Sequence, residues 1–354
     1  MTEAPDPPRR RPTIIDVARR AGVSPQTVSN VVQRLKVPRP DTLARVTEAV
    51  EALGYAPNAA ARALRSQRSE TIAVLLEDPD GLGLADPLHA EFLQGVCRAA
   101  RRLGQAVIVD FTDPGETDAL AASLIGDRRA GGLVLSLGRI GPRRGRALAA
   151  IARTGAAVVL LQQDVRLAGV STIRAEDREG AAEAVRHLHA KGHRSLLFLG
   201  ASPDWPAPLR RLDGVREACA ALGIGLAERR APAFTMEAAR TAMAAHLAAD
   251  PRATAVVAVN DLVALGAMEE LRAQGRRVPQ DCAVIGFNDF PFSGWIDPGI
   301  STVAIPGQAM GERAAEMAAA GPGFEQPRDV VFGARLVLRG STGDGGGDGG
   351  RSVR

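Results

Sequence analysis

From residue 71 to about 340 the chain alternates short apolar runs with longer amphipathic stretches, and this alternation restricts the fold more than any other feature. The runs fall at residues 72–76, 107–111, 132–137, 157–161, 195–199, 254–259 and 282–287. Each is too short for a stable helix and largely continuous in apolar character, the pattern of a strand buried on both faces. Between the runs, residues 89–103, 181–191, 213–222, 238–248 and 261–274 repeat apolar side chains at helical spacing. Strand and helix in turn predict an α/β body of parallel sheets with helices on both faces. Aromatics are only 3% of the chain, so Ala, Leu and Val must fill those cores. No stretch approaches the roughly 18 apolar residues of a membrane span.

Residues 13–56 follow a different rule and read as three short helices. Thr13 is placed to cap the first, with Asp16 reaching back to it. Ile14, Val17 and Ala18 form its apolar face, and Ala21-Gly22-Val23 breaks it. Ser24-Pro25 restarts a helix, since Ser caps well and Pro suits the first helical position. Val28, Val31 and Val32 supply its inner face. A third helix runs from about Pro40 to Leu53 and ends at Gly54. Helix, tight turn and capped second helix make a helix-turn-helix. In that motif the second helix lies in the DNA major groove with its first side chains at the base edges. Pro25, Gln26, Ser29 and Asn30 are the residues expected there, and Gln or Asn can form a two-point pair with adenine. Ser24 and Thr27 are better placed to cap the helix or touch phosphate. The alternative for all of them is an ordinary solvated helix face.

The charge supports a polyanion at this end. Residues 1–70 hold 12 Arg and Lys against 7 Asp and Glu, a balance of +5; the other residues hold 32 against 33, a balance of −1. Cys97, Cys219 and Cys282 are few and scattered, which implies no disulfide framework and a reducing cytoplasm as the default. The first twelve residues have no apolar stretch behind their charges, so they read as a disordered arm rather than an export signal. From 341 to 354 the chain turns to Gly, Asp and Ser and reads as a disordered tail. His187 and His189 stand two apart on a helix and share no face, so no metal site is expected. Gly81-Leu82-Gly83 lacks the third glycine of a dinucleotide loop, so no cofactor is expected.

The runs Thr13-Ile14-Ile15-Asp16-Val17-Ala18, Ala21-Gly22-Val23-Ser24, Thr27-Val28-Ser29-Asn30 and Leu53-Gly54-Tyr55, followed by Pro57-Asn58, resemble the lac/galactose repressor family. Leu336-Val337-Leu338-Arg339-Gly340-Ser341 is similar to that family's C-terminal strand. The likeness therefore spans about 13–342. It implies a helix-turn-helix domain at 13–56, a hinge at 57–70 and a two-lobed body at 71–340 of the periplasmic-binding-protein type, each lobe a doubly wound parallel sheet. Thr13 and Tyr55 join the expected DNA-contacting set through the match. The hinge would form a helix on DNA, with Asn58 at its start, Ala61 facing the minor groove and Leu64 wedged into a base step. About ten residues are too few for a helix alone in water, so this one should form only on the duplex beside its symmetry mate. Two departures stand out: Arg39 replaces the usual Ser cap of the third helix, and Asn30 stands where some relatives place Arg or His.

The resemblance also implies an effector pocket between the lobes, at the carboxyl ends of the strands. Asp86 and His89 match the start of the first body helix, after a loop at 78–85 that is longer and richer in glycine than usual. Arg211, three residues before Gly214, matches a ligand-gripping arginine, and Phe234 matches an aromatic that stacks on the ligand. Gln162, Asn260 and Asn288 fall at strand ends lining the pocket. A strand-end capping role is the alternative for each polar residue. The expected whole is a sequence-specific DNA-binding transcriptional regulator, a repressor, that binds a pseudopalindromic operator as a homodimer with its affinity controlled by a small polar effector, a sugar or related metabolite. The competing readings, an exported solute-binding protein or an enzyme, would need an export signal or a converging catalytic set, and neither is found.

Overall fold

The computed structural model describes residues 12–32, 38–55, 69–200, 204–320 and 328–343. The chain divides into two units at Ser69 and Glu70. Residues 1–11 of the expected arm, the hinge residues Asn58, Ala61 and Leu64, and the last eleven residues lie outside the described set.

The first unit holds α1 (Ile14–Ala21), α2 (Pro25–Val32) and α3 (Pro40–Leu53). Eight-residue helices do not persist alone, so tertiary burial must hold them. Val17, Ala18, Ala21, Val28, Val46 and Ala49 supply it as one buried cluster drawn from all three helices. Val31, Val32, Val50, Leu53 and Tyr55 close its edges. Gly22 takes φ 63° at the end of α1, a left-handed turn that glycine enters without a Cβ penalty.

The second unit carries β1 (Thr71–Glu77), α4 (Pro87–Leu103), β2 (Ala106–Thr112), α5 (Thr117–Gly126), β3 (Gly132–Ser136), α6 (Pro142–Ala152), β4 (Ala157–Leu161), β5 (Val170–Ala175) and α7 (Asp177–Ala190). It continues with β6 (Ser195–Gly200), α8 (Pro206–Leu222), β7 (Gly225–Arg230), α9 (Met236–Ala249), β8 (Ala255–Ala258), α10 (Asp261–Ala273) and β9 (Ala283–Asn288). β10 (Ser301–Ala304), α11 (Gly307–Ala319), β11 (Asp329–Phe332) and β12 (Arg335–Val337) complete it. The strands form two six-stranded sheets, ordered β11-β5-β4-β3-β1-β2 and β12-β10-β9-β8-β6-β7. Every pairing is parallel except β10 with β12. The chain therefore passes between the sheets three times: after β5, after β10 and after β11.

All seven expected strands are present, and the five expected helices fall within one to seven residues of their predicted ends. α7 starts earlier than its apolar repeat because its first turn carries polar residues, with Asp177 serving the site; α8 starts earlier on Pro206-Ala207-Pro208-Leu209, with Pro at its first helical position. The expected disordered tail needs one correction: Ser341 and Thr342 are buried. Ser341 Oγ donates to the Val284 carbonyl (2.6 Å) and accepts from Ser301 N (2.8 Å), and Thr342 Oγ1 lies 2.6 Å from Ser301 Oγ. Small hydroxyls that read as tail composition are here fully bonded inside the second lobe.

α4 and α11 approach backbone to backbone. A Cβ on Gly95 would fall on the Gln308 carbonyl, and one on Gly311 would fall on the Phe92 carbonyl. This fixes α11, which follows the second crossing, to the first lobe.

Candidate functional site

In the first unit, Thr13 caps α1 as its sequence predicts. Its Oγ1 accepts from Asp16 N (3.4 Å), while Asp16 Oδ2 accepts from Thr13 N (2.9 Å) and Oγ1 (2.7 Å). Ser24 Oγ accepts from Thr27 N (3.1 Å) and lies 2.9 Å from Thr27 Oγ1, so both are committed to starting α2. Ser24, Pro25 and Gln26 are exposed at that start. Gln26 Nε2 donates to Asn30 Oδ1 (3.1 Å), which lines the two amides along one exposed edge of the helix. Ser29 departs from the expected base-reading set: it is 95% buried. It sits one residue after Val28 and three before Val32, so the helical period turns it toward the cluster. Tyr55 is half-buried against that cluster, with its N–H on the Val50 carbonyl (3.0 Å). Arg39 precedes α3 without a side-chain cap bond, in keeping with its departure from Ser.

In the second unit the polar candidates do not all meet. Arg211, on α8, is 4% exposed and holds three partners. Its Nε donates to Asp177 Oδ1 (2.9 Å), Nη1 to the Val259 carbonyl (2.6 Å) and Nη2 to Asn288 Oδ1 (3.0 Å). Its guanidinium carbon stands 3.8 Å over the Phe287 ring. Burial lowers its pKa from the ordinary arginine value, and Asp177 pulls the other way. Asp177 is fully buried and also accepts from Arg210 Nε (3.1 Å) and Nη2 (2.7 Å). Arg210 Nη2 reaches on to the Gln162 carbonyl (3.2 Å). Gln162 has φ 58° and accepts at Oε1 from Ala175 N (3.3 Å); its Nε2 is buried without a partner among the described residues. One network thus joins the ends of β4, β8 and β9 to the start of α7. Asn260 stands beside it and caps α10, accepting from Val263 N at 2.8 Å. Asp86 caps α4 by accepting from Leu88 N (2.9 Å). His89 is buried with Nδ1 3.3 Å from the Gly83 carbonyl and its ring 5.9 Å from that of Phe111. These two form a separate contact set within the first lobe.

Phe234 lines a cavity of about 430 Å³ shared by the two lobes. Glu77, Asp80, Arg139 and Arg144 of the first lobe and Asp204, Trp205 and Phe234 of the second surround it. Sequence reasoning missed all of these except Phe234. Glu77 carried one signal, a carboxylate closing an otherwise apolar strand. It is buried, accepting from Gly138 N (2.7 Å) and Thr117 Oγ1 (3.0 Å), with Arg144 Nη2 at 2.7 Å.

Two further carboxyls titrate high. Burial pushes Asp261 up to about 7 against the pull of donors from Thr302, Phe290 N and Ser293. Burial pushes Glu91 up to about 7 as well, assisted by the charges of Asp289 and Asp261.

The model for "Bacterial regulatory proteins, lacI family" matches residues 13–58, and that for "Periplasmic binding protein-like domain" matches 185–342. The HTH-type transcriptional regulator CelR of Thermobifida fusca is 33% identical over 315 residues, 87% of this chain and 91% of that one. The HTH-type transcriptional regulator Rv3575c of Mycobacterium tuberculosis is 31% identical over 359 residues, 95% of this chain and 98% of that one. Among solved structures, the CelR–cellobiose complex aligns with TM-score 0.69 at 29% identity, over 94% of this chain and all of that one. The lac repressor dimer bound to operator and the anti-inducer ONPF aligns with TM-score 0.81 at 25% identity, over 94% and 99%. The capped helix-turn-helix, the two parallel-sheet lobes and relatives matched over nearly their full length give one conclusion: the chain belongs to the lacI family of bacterial regulatory proteins and is an HTH-type transcriptional regulator.

Proposed function

We propose that the chain is a repressor that acts in the cytoplasm as a homodimer, binds a pseudopalindromic operator and is controlled by a small polar effector of sugar type held between its lobes. The observation that carries this reading is the cavity of about 430 Å³ lined by both lobes; the buried Arg210–Asp177–Arg211 network does not line it. Its size lies within the roughly 300–1,000 Å³ typical of small-molecule sites. Two relatives support the assignment: CelR is complexed with cellobiose, and the lac repressor dimer is bound to its operator.

The mechanism follows from differential binding. An effector shifts an equilibrium only by the difference in its affinity for two states. A ligand touching both lobes has such a difference built in, because lobe rotation changes how many of its contacts can form at once. Gln26 and Asn30 read base edges from the start of α2, while Asn58, Ala61 and Leu64 carry the hinge contact.

Fluorescence anisotropy with DNA from upstream of the chain's own coding region tests the reading. Sequence-preferring binding by a dimer, altered by a small molecule that also raises the melting temperature, is the expected result. An effector at about 100 times its Kd should stabilise by about 2.7 kcal/mol. Equal affinity for every duplex would refute it.

A further inference from the structure

We propose that a second cavity, between α8 and the edge strand β7, is an accessory effector site for a small monocarboxylate with a short apolar body. This ligand is distinct from the one held between the lobes.

The cavity follows from how an edge strand is covered. β7 pairs on one side only, with β6, and α8 packs over both. A space of about 190 Å³ is left between helix and strands. Successive residues of a strand alternate faces, so Phe198 and Gly200 of β6 look to the same side as their partners Glu228 and Arg230 of β7. Phe198 is buried and forms the floor, its ring lying where a Cβ on Gly200 would fall. Leu209 and Leu212 of α8 form the wall and are only half-buried. Leu212 packs against the core, whereas Leu209 stands outside that cluster and offers its apolar surface to the cavity.

Charge selects the occupant. Arg216, Arg229 and Arg230 line the cavity with a single carboxylate, Glu228. Arg216 takes both oxygens of Glu228, Nε on Oε1 and Nη2 on Oε2, at 2.7 Å each. Arg229 reaches only the Glu228 carbonyl, at 3.4 Å. The side chain of Arg230 is exposed opposite Gly200 and has no hydrogen bond or ion pair among the described residues. An uncommitted guanidinium beside an apolar wall fits a small acid: the body displaces water from Leu209 and Phe198, and the carboxylate takes the forked N–H pair of Arg230. The excess of guanidiniums disfavours a cation. The volume falls below the roughly 300–1,000 Å³ of sites for drug-sized ligands, which confines the body to one ring or a short chain.

Position couples this cavity to the lobes. Trp205 and Phe234 line the interlobe cavity, while Pro208 and Arg230 line this one. The start of α8 and the segment after β7 therefore form a common wall. α8 also carries Arg210 and Arg211, the two partners of Asp177. A body wedged between α8 and β7 bears on that wall and on the helix that holds the network.

Calorimetric titration of the full chain with benzoate, phenylacetate and hexanoate, and with benzyl alcohol and benzylamine as neutral and cationic counterparts of benzoate, tests this. At least one acid should bind, and benzoate should bind about tenfold or more tighter than either counterpart. The acid should also shift operator affinity measured by fluorescence anisotropy. Arg230→Gln and Leu209→Asn should each weaken the acid about tenfold or more, with circular dichroism unchanged. Arg252→Ala, in an exposed pair with Asp250, should leave its affinity unchanged. Benzyl alcohol binding as tightly as benzoate, an acid indifferent to Arg230→Gln, or a panel in which no acid binds overturns the site. An acid whose affinity falls with Trp205→Ala and not with Arg230→Gln occupies the interlobe cavity instead, which also overturns it. An acid that binds through Arg230 yet leaves operator affinity unmoved overturns its role as an effector.

Discussion

Arg211→Met is the substitution that most directly tests how the body is held. Met keeps much of the apolar stem over Phe287 and removes the donors to Asp177, the Val259 carbonyl and Asn288. Breaking a buried ion pair from one side typically costs about 3–5 kcal/mol, because the remaining charge stays buried. Asp177 is not left bare here, since Arg210 still donates to it twice. That places the expected loss near the lower end, about 3 kcal/mol. With a urea m-value of about 3 kcal/mol/M, the midpoint should fall by about 1 M. Urea unfolding followed by circular dichroism at pH 7 measures it. Arg211→Lys should recover little, because an ammonium cannot fork to three acceptors at fixed angles. Adding Asn288→Leu to Arg211→Met should cost less than the two single losses combined, since they share a bond. A midpoint shift below about 0.3 M, or strict additivity in the double variant, would mean that Arg211 is held for ligand alone and that the network contributes nothing to the fold.

Three other outcomes are expected. Glu91 binds its proton more tightly in the folded chain, at about 7 against an ordinary 4.5, so its contribution is full below about pH 4.5 and is lost as pH rises through 7. Glu91→Gln should therefore flatten the decline of thermal stability between pH 5 and 8 and stabilise the protein at pH 8; an unchanged pH profile counts against it. Gly95→Ala places a methyl on the Gln308 carbonyl and should destabilise the body by about 3 kcal/mol, the upper end for overpacking, because backbone rather than a mobile side chain stands in the way. Gln26→Ala should cost about 1–3 kcal/mol of operator affinity and relax the preferred sequence, with non-specific binding intact; equal losses on all duplexes would place Gln26 on phosphate instead.

Much of the fold could be read locally because the interior strands are apolar along their whole length. The elements missed break that rule for identifiable reasons. β7 lies at a sheet edge, and its sequence Gly-Leu-Ala-Glu-Arg-Arg is exposed over much of its length. β5 is interior yet carries Ser171 and Thr172, which are satisfied by Arg328 N and Asp329 from 157 residues away. No local window contains that partner. The same limit governs the site. Gln26, Asn30 and Phe234 could be placed from pattern and resemblance, and so could the position of Arg211. Its anchor Asp177 could not, because as a sequence it is only an acidic residue in a first helical turn. Ser29 shows the converse: its chemistry suits DNA, but the helical period turns it inward.

The Asp177 network also limits how the lobes can move. Asp177 begins α7, directly after the first crossing between the sheets. Through Arg210 it is linked to the Gln162 carbonyl in the first lobe, and through Arg211 to Val259 and Asn288 in the second. A fully buried carboxylate cannot be left half-paired without a cost of several kcal/mol. A rotation of one lobe must therefore either carry both arginines with Asp177 or exchange partners in one step. Intermediate angles lose bonds without gaining new ones, so the junction favours discrete states over a continuous swing. Trp205 and Phe234 of the second lobe line the cavity with Arg144 of the first, and such a rotation changes their separation. A ligand gripping both therefore acts on the same coordinate that the Asp177 network divides into states, and a few kcal/mol of differential binding there is enough to choose between them.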